Sequence, residues 1–130
     1  METLELISQI ATIIAVPLAL YVYLATKLRE KRLFTSARVI EIYDAYHEMM
    51  KHNRKPEYHE LKQFLGTVDR FANEYNEKLL CKKLAKQRIG DFMIRNYEGE
   101  WKEIIEQRRN QFKRQEYYSG IEKMIDDLRR

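Results

Sequence analysis

The chain is short of several residue types, and the shortage of cysteine excludes the most. Cys81 is the single cysteine among 130 residues, so no disulfide can form within the chain. Such a chain suits a reducing compartment. No segment alternates apolar and polar side chains in the way that a half-buried strand does, and apolar residues recur instead at helical spacing. The sequence therefore predicts an all-α protein.

Catalytic signatures are also missing. The four glycines are scattered and form no phosphate-binding loop of either common kind. None of the three serines stands in a GxSxG motif. A zinc-binding HExxH motif that began at His47 would need its second histidine where this chain has Lys51. We therefore expect a protein that is not an enzyme and that holds no metal and no cofactor.

Basic residues are absent from the first 26 positions, whereas all 24 of them lie from Lys27 onward. Residues 6–26, LISQIATIIAVPLALYVYLAT, carry no charge at all. As a helix these residues would span roughly 31 Å, which matches the hydrocarbon core of a bilayer. A cleaved signal peptide would need a basic start, and a buried helix of a soluble domain is rarely apolar for so long. The run therefore predicts a transmembrane helix.

The charges that flank this run predict its orientation. Glu2 and Glu5 precede it, and four basic residues within positions 27–32 follow it. Positively charged flanks stay in the cytoplasm. We expect a single-pass protein of the inner (cytoplasmic) membrane, with a short extracytoplasmic N-terminus (1–5), a transmembrane helix (6–26) and a cytoplasmic domain (27–130).

Small and polar side chains share one face of the predicted span at about 100° per residue. They include the candidate pore-lining residues Glu5, Ser8, Gln9, Thr12, Ala15 and Ala19. Lipid penalises glutamine and glutamate, and small residues let helices approach closely, so this face favours contact with another copy of the chain or with water. Two interpretations stay open: a plain anchor, and a homo-oligomer, for which we assume a tetramer, with or without a pore that its helices line.

The remaining residues predict one basic domain, a bundle of about four to five helices. The first helix should continue from the membrane to about Lys51, with Leu28, Ala37, Ile40, Tyr43 and Met50 among its apolar positions. The segment KHNRKPE at 51–57 predicts a break, and Pro56 suits the start of the next helix. We expect Asn76 to cap a short helix that carries Leu79, Leu80 and Leu84. A longer helix should follow with an apolar stripe from Phe92 to Phe112, and a last helix should cover Tyr117 to Arg129.

Two basic clusters stand out in this domain. The first comprises Lys78, Lys82, Lys83, Lys86, Arg88 and Arg95, and the second comprises Arg108, Arg109, Lys113 and Arg114 near Phe112. Basic side chains among aromatic ones suit phosphate contact with base stacking, which predicts an anionic nucleotide or single-stranded DNA ligand. Basic helices near anionic lipid are also common, and solvated faces carry lysine, so a lipid contact or plain solvation stays open.

Several segments from Leu61 onward resemble a family of small bacterial membrane proteins. The segments are LKQFLGTVDRFA, NEKLL, the Tyr97–Trp101 stretch that runs into IIEQRR, and YYSGIEKM. Gly66 stands where the family carries asparagine, and Glu122 matches its closing glutamate. The pattern covers roughly residues 30–130 and is similar to the channel effectors of Hailong anti-phage defence systems.

This resemblance implies a fold and a role. Members have one N-terminal span and a helical cytoplasmic domain of unknown function. The resemblance implies a homo-oligomeric ion channel in anti-phage defence that responds to a nucleotide or single-stranded DNA and works with a nucleotidyltransferase. The alternative from the residues is a membrane-tethered adaptor that docks a protein partner and has no pore.

Overall fold

Helices make up the regular structure of the chain in a computed structural model that describes residues 2–51 and 55–130. Within these ranges five α-helices and one π-helical segment occur, and no strand does. Their bounds are α1 Glu2–Met50, α2 Tyr58–Asn76, α3 Lys82–Asn96, the π segment Tyr97–Trp101, α4 Lys102–Phe112 and α5 Ser119–Leu128. The prediction of an all-α fold is therefore confirmed for the described residues.

The chain divides into two compact units, one up to Lys31 and one from Arg32 onward. Helix α1 supplies all described residues of the first unit and the first residues of the second. It continues through Pro17 without a break and ends at Met50, close to the predicted end at Lys51. The prediction of one long apolar N-terminal helix is confirmed.

The second unit has one apolar core. Its largest fully buried side chains come from all of its helices and from the segment between α2 and α3, and they include Ile42, Phe71, Tyr75, Leu80, Ile89, Trp101, Ile105, Ile121 and Met124. Helices α2 and α5 pack together most extensively, and α3 also contacts α5. Tyr46 links α1 to this core, because its ring lies 5.8 Å from that of Phe64 and 5.2 Å from that of Phe92.

The inward face of α1 differs from its predicted apolar positions. Leu28, Ala37, Ile40 and Met50 are exposed and Tyr43 is half-buried, whereas Thr35, Val39, Ile42 and Met49 are buried. The physical reason is that this part of α1 carries apolar residues on several sides, so periodicity alone does not distinguish the side that packs.

The connection after α2 was predicted wrongly. Asn76 ends α2 instead of capping a new helix, and its side-chain amide donates to the carbonyl of Gly120 at 2.9 Å. Leu79 is 52 % exposed and Leu80 is buried, but both lie in the connection. A new helix begins only at Lys82. The predicted break at 51–57 agrees with the end of α1 and the start of α2 at Tyr58, although residues 52–54 lie outside the described part.

The π segment changes which face of the following helix is buried. In an unbroken α-helix, the face that carries Ile89 and Met93 would next present Glu100, Ile104 and Gln107. A π turn contains one residue more than an α turn does. Each later position on that face is therefore occupied by the next residue in the sequence. Trp101, Ile105 and Arg108 are accordingly buried, at 2 %, 1 % and 7 % exposure. The predicted single stripe is thus correct for Met93, Trp101 and Ile105, but Phe112 is 48 % exposed.

Candidate functional site

The first unit exposes the apolar side chains of α1. No residue in its most apolar stretch of 18 residues is buried. Among the described residues, this is the one helix that is long and apolar enough to cross a membrane. Ile7, Ile13 and Leu20 are 58 %, 69 % and 56 % exposed. Water makes such exposure unfavourable by about 1.5–3 kcal/mol for each large side chain, whereas hydrocarbon removes that cost.

The candidate pore-lining residues are all exposed on this helix. Glu5, Ser8, Gln9, Thr12, Ala15 and Ala19 lie within one broad face. The hydroxyl of Thr12 donates to the carbonyl of Ser8 at 3.0 Å, so the helix itself satisfies that donor. Glu5 and Gln9, one helical turn apart, carry the strongest polar groups of the face.

The first basic cluster does not converge on one point. At about 100° per residue, Lys82 and Lys86 lie on one side of α3 and Arg88 and Arg95 lie on the other. Lys83 is exposed between these sides, and Lys78 lies in the connection before α3 with a left-handed backbone, φ 63°. The structure thus brings Lys82 and Lys86 together and separates the other members.

Lys82 and Lys86 face a carboxylate on α5. Their ammonium nitrogens lie 3.6 and 3.9 Å from Oδ2 of Asp127, and the ammonium of Lys82 also lies 4.9 Å from the ring centroid of Tyr75. The hydroxyl of Tyr75 donates to the same Asp127 oxygen at 2.5 Å. This hydrogen bond, helped by the two lysines, lowers the pKa of Asp127, while burial raises the pKa of Tyr75. These lysines therefore stabilise the α3–α5 packing.

Arg108 and Arg109 of the second cluster are drawn into the fold. Arg108 is only 7 % exposed, and its guanidinium carbon lies 5.4, 5.5 and 5.7 Å from the ring centroids of Phe112, Tyr117 and Tyr118. Arg109 donates from Nε to the carbonyl of Tyr117 at 2.9 Å and from Nη1 to Oε1 of Glu122 at 2.5 Å. The structure thus gives this pair of neighbouring arginines two different surroundings.

The turn between α4 and α5 covers these arginines. Lys113 is exposed and has a left-handed backbone, φ 52°, as does Tyr118 at φ 61°. The rings of Phe112 and Tyr117 meet edge to face with their centroids 6.0 Å apart. Sequence reasoning selected Arg108, Arg109 and Phe112 but missed the two tyrosines. A pair of arginines that is followed, after a short polar stretch, by a pair of tyrosines is the sequence signal that would have identified them.

Comparison with protein-family models, with curated proteins and with solved structures finds no match to this chain.

Proposed function

We propose that this protein is a homo-oligomeric ion channel of the inner membrane whose cytoplasmic helical domain senses a nucleotide or single-stranded DNA in anti-phage defence. In this proposal residues 6–26 cross the bilayer and residues 27–130 are cytoplasmic. The single observation that carries it is the combination, on one exposed helix, of an apolar majority and one polar face.

The exposure of the apolar side chains supports the membrane span. Ile10, Ile14 and Leu24 are 48 %, 61 % and 57 % exposed. A bilayer covers such side chains without any protein partner. The basic residues that follow the span, beginning with Lys27, support a cytoplasmic location for the second unit.

The polar face supports self-association. A glutamine such as Gln9 is unfavourable against lipid, and a second copy or a column of water removes that cost. Copies inserted with the same orientation place identical residues at the same depth, so Gln9 of each subunit would form one ring and Thr12 another. Ala11, Ala15 and Ala19 are spaced four residues apart and permit close helix approach.

A ligand on the cytoplasmic domain would gate such a pore only through different affinities for the open and closed states. The basic charge of that domain supports an anionic ligand, and the resemblance adds a nucleotidyltransferase as the source of a nucleotide signal. The ligand would thus connect a cytoplasmic event with ion flow across the membrane.

The test is conductance of the full-length protein in planar bilayers. We expect discrete current steps, and we expect Gln9→Leu to change their amplitude at least twofold because it removes a polar ring from the pore. Ile14→Leu is the matched control, since it alters an exposed residue on the opposite face and should leave the amplitude unchanged. Baseline current at all protein concentrations would remove the channel from the proposal.

A second candidate is a membrane-tethered adaptor without a pore. It is favoured by exposed apolar side chains outside the uncharged run: Leu33 and Ile40, two turns apart on one side of α1, are 62 % and 58 % exposed, and Phe34 is 41 % exposed. Exposed apolar patches mark protein interaction sites. An adaptor predicts no current and a monomeric span, whereas the channel predicts both current and cross-linking of Gln9→Cys between copies in a Cys81→Ser background.

A further inference from the structure

Arg108 is a buried charge whose hydrogen-bonding capacity is largely unused. Its side chain is 7 % exposed, and both Nε and Nη1 are fully buried and lack a hydrogen-bond partner in the part of the chain that the structure describes. A buried guanidinium is stable only when acceptors meet its donors. An orphaned pair of donors on one buried side chain therefore indicates that an acceptor comes from outside the described residues.

The groups that surround Arg108 are aromatic rings. The ring centroids of Phe112, Tyr117 and Tyr118 lie 5.4 to 5.7 Å from its guanidinium carbon. We call these three rings the cage. Ring faces attract a cation, but they accept no strong hydrogen bond from its N–H groups. The rings thus hold the positive charge in place and leave the orphaned donors for another ligand.

The surrounding chain holds this arrangement from the α5 side. Arg109 fixes the carbonyl of Tyr117 and the carboxylate of Glu122, which ties the turn back to both flanking helices. Burial raises the pKa of Tyr118, and the charge of Arg108 opposes that rise. The Tyr118 hydroxyl is accordingly neutral at physiological pH, and the nearby carboxylate of Asp69 raises the pKa of Tyr118 as well.

The aromatic rings extend to the surface, beside the buried donors of Arg108. Phe112 is 48 % exposed, Tyr117 is half-buried, and residues 113–116 are exposed. The exposed part of the Phe112 ring offers a flat apolar face beside the buried charge. Flat rings beside a guanidinium are the features that a nucleotide uses, because its base stacks on the ring while its phosphate oxygens accept hydrogen bonds.

We propose that Arg108, with Phe112, Tyr117 and Tyr118, binds the phosphate and the adjacent base of a nucleotide or of one unit in a single-stranded oligonucleotide. The proposal rests on the ligand-sensing part of the proposed function and assigns that role to the turn between α4 and α5. Phosphate oxygens complete the bonding of Nε and Nη1, and because both atoms are fully buried in the free chain, the covering turn moves aside as the ligand binds. A lipid headgroup carries the same phosphate chemistry without a base, so the two sources differ in their need for Phe112.

The experiment uses the full-length protein in nanodiscs of neutral phosphatidylcholine. The probe is a fluorescently labelled pentathymidylate, and its dissociation constant is measured by anisotropy at several salt concentrations. We expect Arg108→Met to weaken binding at least tenfold and to reduce the slope of log affinity against log salt by about one, the effect of losing one phosphate contact. The matched control is Lys102→Met, an exposed basic residue of the same helix, which should bind as the wild type does.

A second measurement separates a lost ligand site from a damaged fold. Replacing a buried, unpaired charge by an apolar side chain of similar length is neutral or stabilising, so Arg108→Met should melt no lower than the wild type without ligand. Saturating oligonucleotide should raise the melting temperature of the wild type but not that of the variant. Equal binding by Arg108→Met and wild type would overturn the proposal.

The aromatic part is tested with Phe112→Ala, which changes an exposed residue. We expect pentathymidylate to bind about tenfold more weakly to this variant, and inorganic pyrophosphate to compete as well as it does in the wild type. If Phe112→Ala has no effect and phosphatidylglycerol in the nanodisc displaces the probe, the site takes a lipid headgroup and the nucleotide proposal is wrong. These equilibrium measurements do not require conductance, so the site and the channel can fail independently.

Discussion

At the scale of single residues, the buried polar groups are the ones whose roles only the structure identifies. Thr35 is fully buried, and its hydroxyl accepts the backbone N–H of Cys81 at 2.8 Å, which supports the start of α3. Threonine in a helical sequence carries no sign of such a long-range contact, because the spacing of 46 positions is set by the path of the whole chain. Cys81 is likewise a structural position at this boundary.

Asp127 is one residue whose charge should make stability depend on pH. The hydrogen bond from Tyr75 and the charges of Lys82 and Lys86 hold its pKa below the ordinary value of 3.8. A carboxyl group with a lowered pKa stabilises the fold above its unfolded-state pKa, and this stabilisation disappears as the pH falls through the folded-state pKa.

We therefore expect Asp127→Asn to lower the free energy of unfolding at pH 7 by about 1 kcal/mol. The difference from wild type should shrink as the pH falls below 3.8. Urea unfolding of the detergent-solubilised protein across this range measures it. Asp126→Asn, at the exposed neighbouring carboxylate, is the control and should differ little from wild type. A difference that is constant with pH would mean that the charge has no role.

At the scale of helices, close packing of α5 on α2 requires a glycine. A Cβ atom added at Gly120 would lie 2.8 Å from Cγ of Asn73 and 3.1 Å from Oδ1 of Asp69. Real side chains do not approach that closely, so the helices would have to separate or Asn73 would have to turn away. A Cβ atom added at Gly66 of α2 would instead lie in open space.

The two glycines should therefore respond in opposite ways to alanine. Gly120→Ala should lower the free energy of unfolding by about 1–3 kcal/mol through overpacking. Gly66→Ala should raise it by about 0.5–1 kcal/mol, because alanine favours a helix interior. Thermal unfolding of both variants measures the effect. Adding Asn73→Ala should restore most of the stability of Gly120→Ala, and a lack of rescue would place the strain elsewhere.

Periodicity predicted the helices well where one face packs and poorly where the helical pitch changes. In α2 the apolar residues that recur at helical spacing are buried, because this helix is regular and has a polar opposite face; they are Phe64, Leu65, Val68, Phe71, Ala72 and Tyr75. The prediction of the apolar stripe beyond Met93 was only partly correct, because no sequence pattern predicts the π segment. The burial of Arg108 follows from that segment, which is why sequence reasoning assigned Arg108 to a solvent-accessible ligand site without its cage.

At the scale of the whole molecule, the distribution of charge determines the expected topology. Every basic residue lies from Lys27 onward, and the described residues before it form one exposed helix. Because basic flanks resist export, we expect residue 3 outside and residue 83 inside the cytoplasmic membrane. The candidate site on α4 would then face the cytoplasm.

Cysteine labelling tests this arrangement, since the chain has only Cys81 to remove. In a Cys81→Ser background, Thr3→Cys should react with an impermeant maleimide in intact spheroplasts. Lys83→Cys, at an exposed position, should react only after permeabilisation. The reverse pattern would contradict the proposed orientation, and labelling of both positions without permeabilisation would contradict a span.

The π segment at Tyr97–Trp101 also bears on how relatives of this chain would be recognised. It accommodates one residue more than a regular helix does, so a relative with an unbroken helix would be one residue shorter at this point. An alignment without a gap there would pair each residue of α4 with the wrong neighbour. Arg108 would then be compared with the counterpart of Arg109, and its own counterpart in the relative would lie one place away.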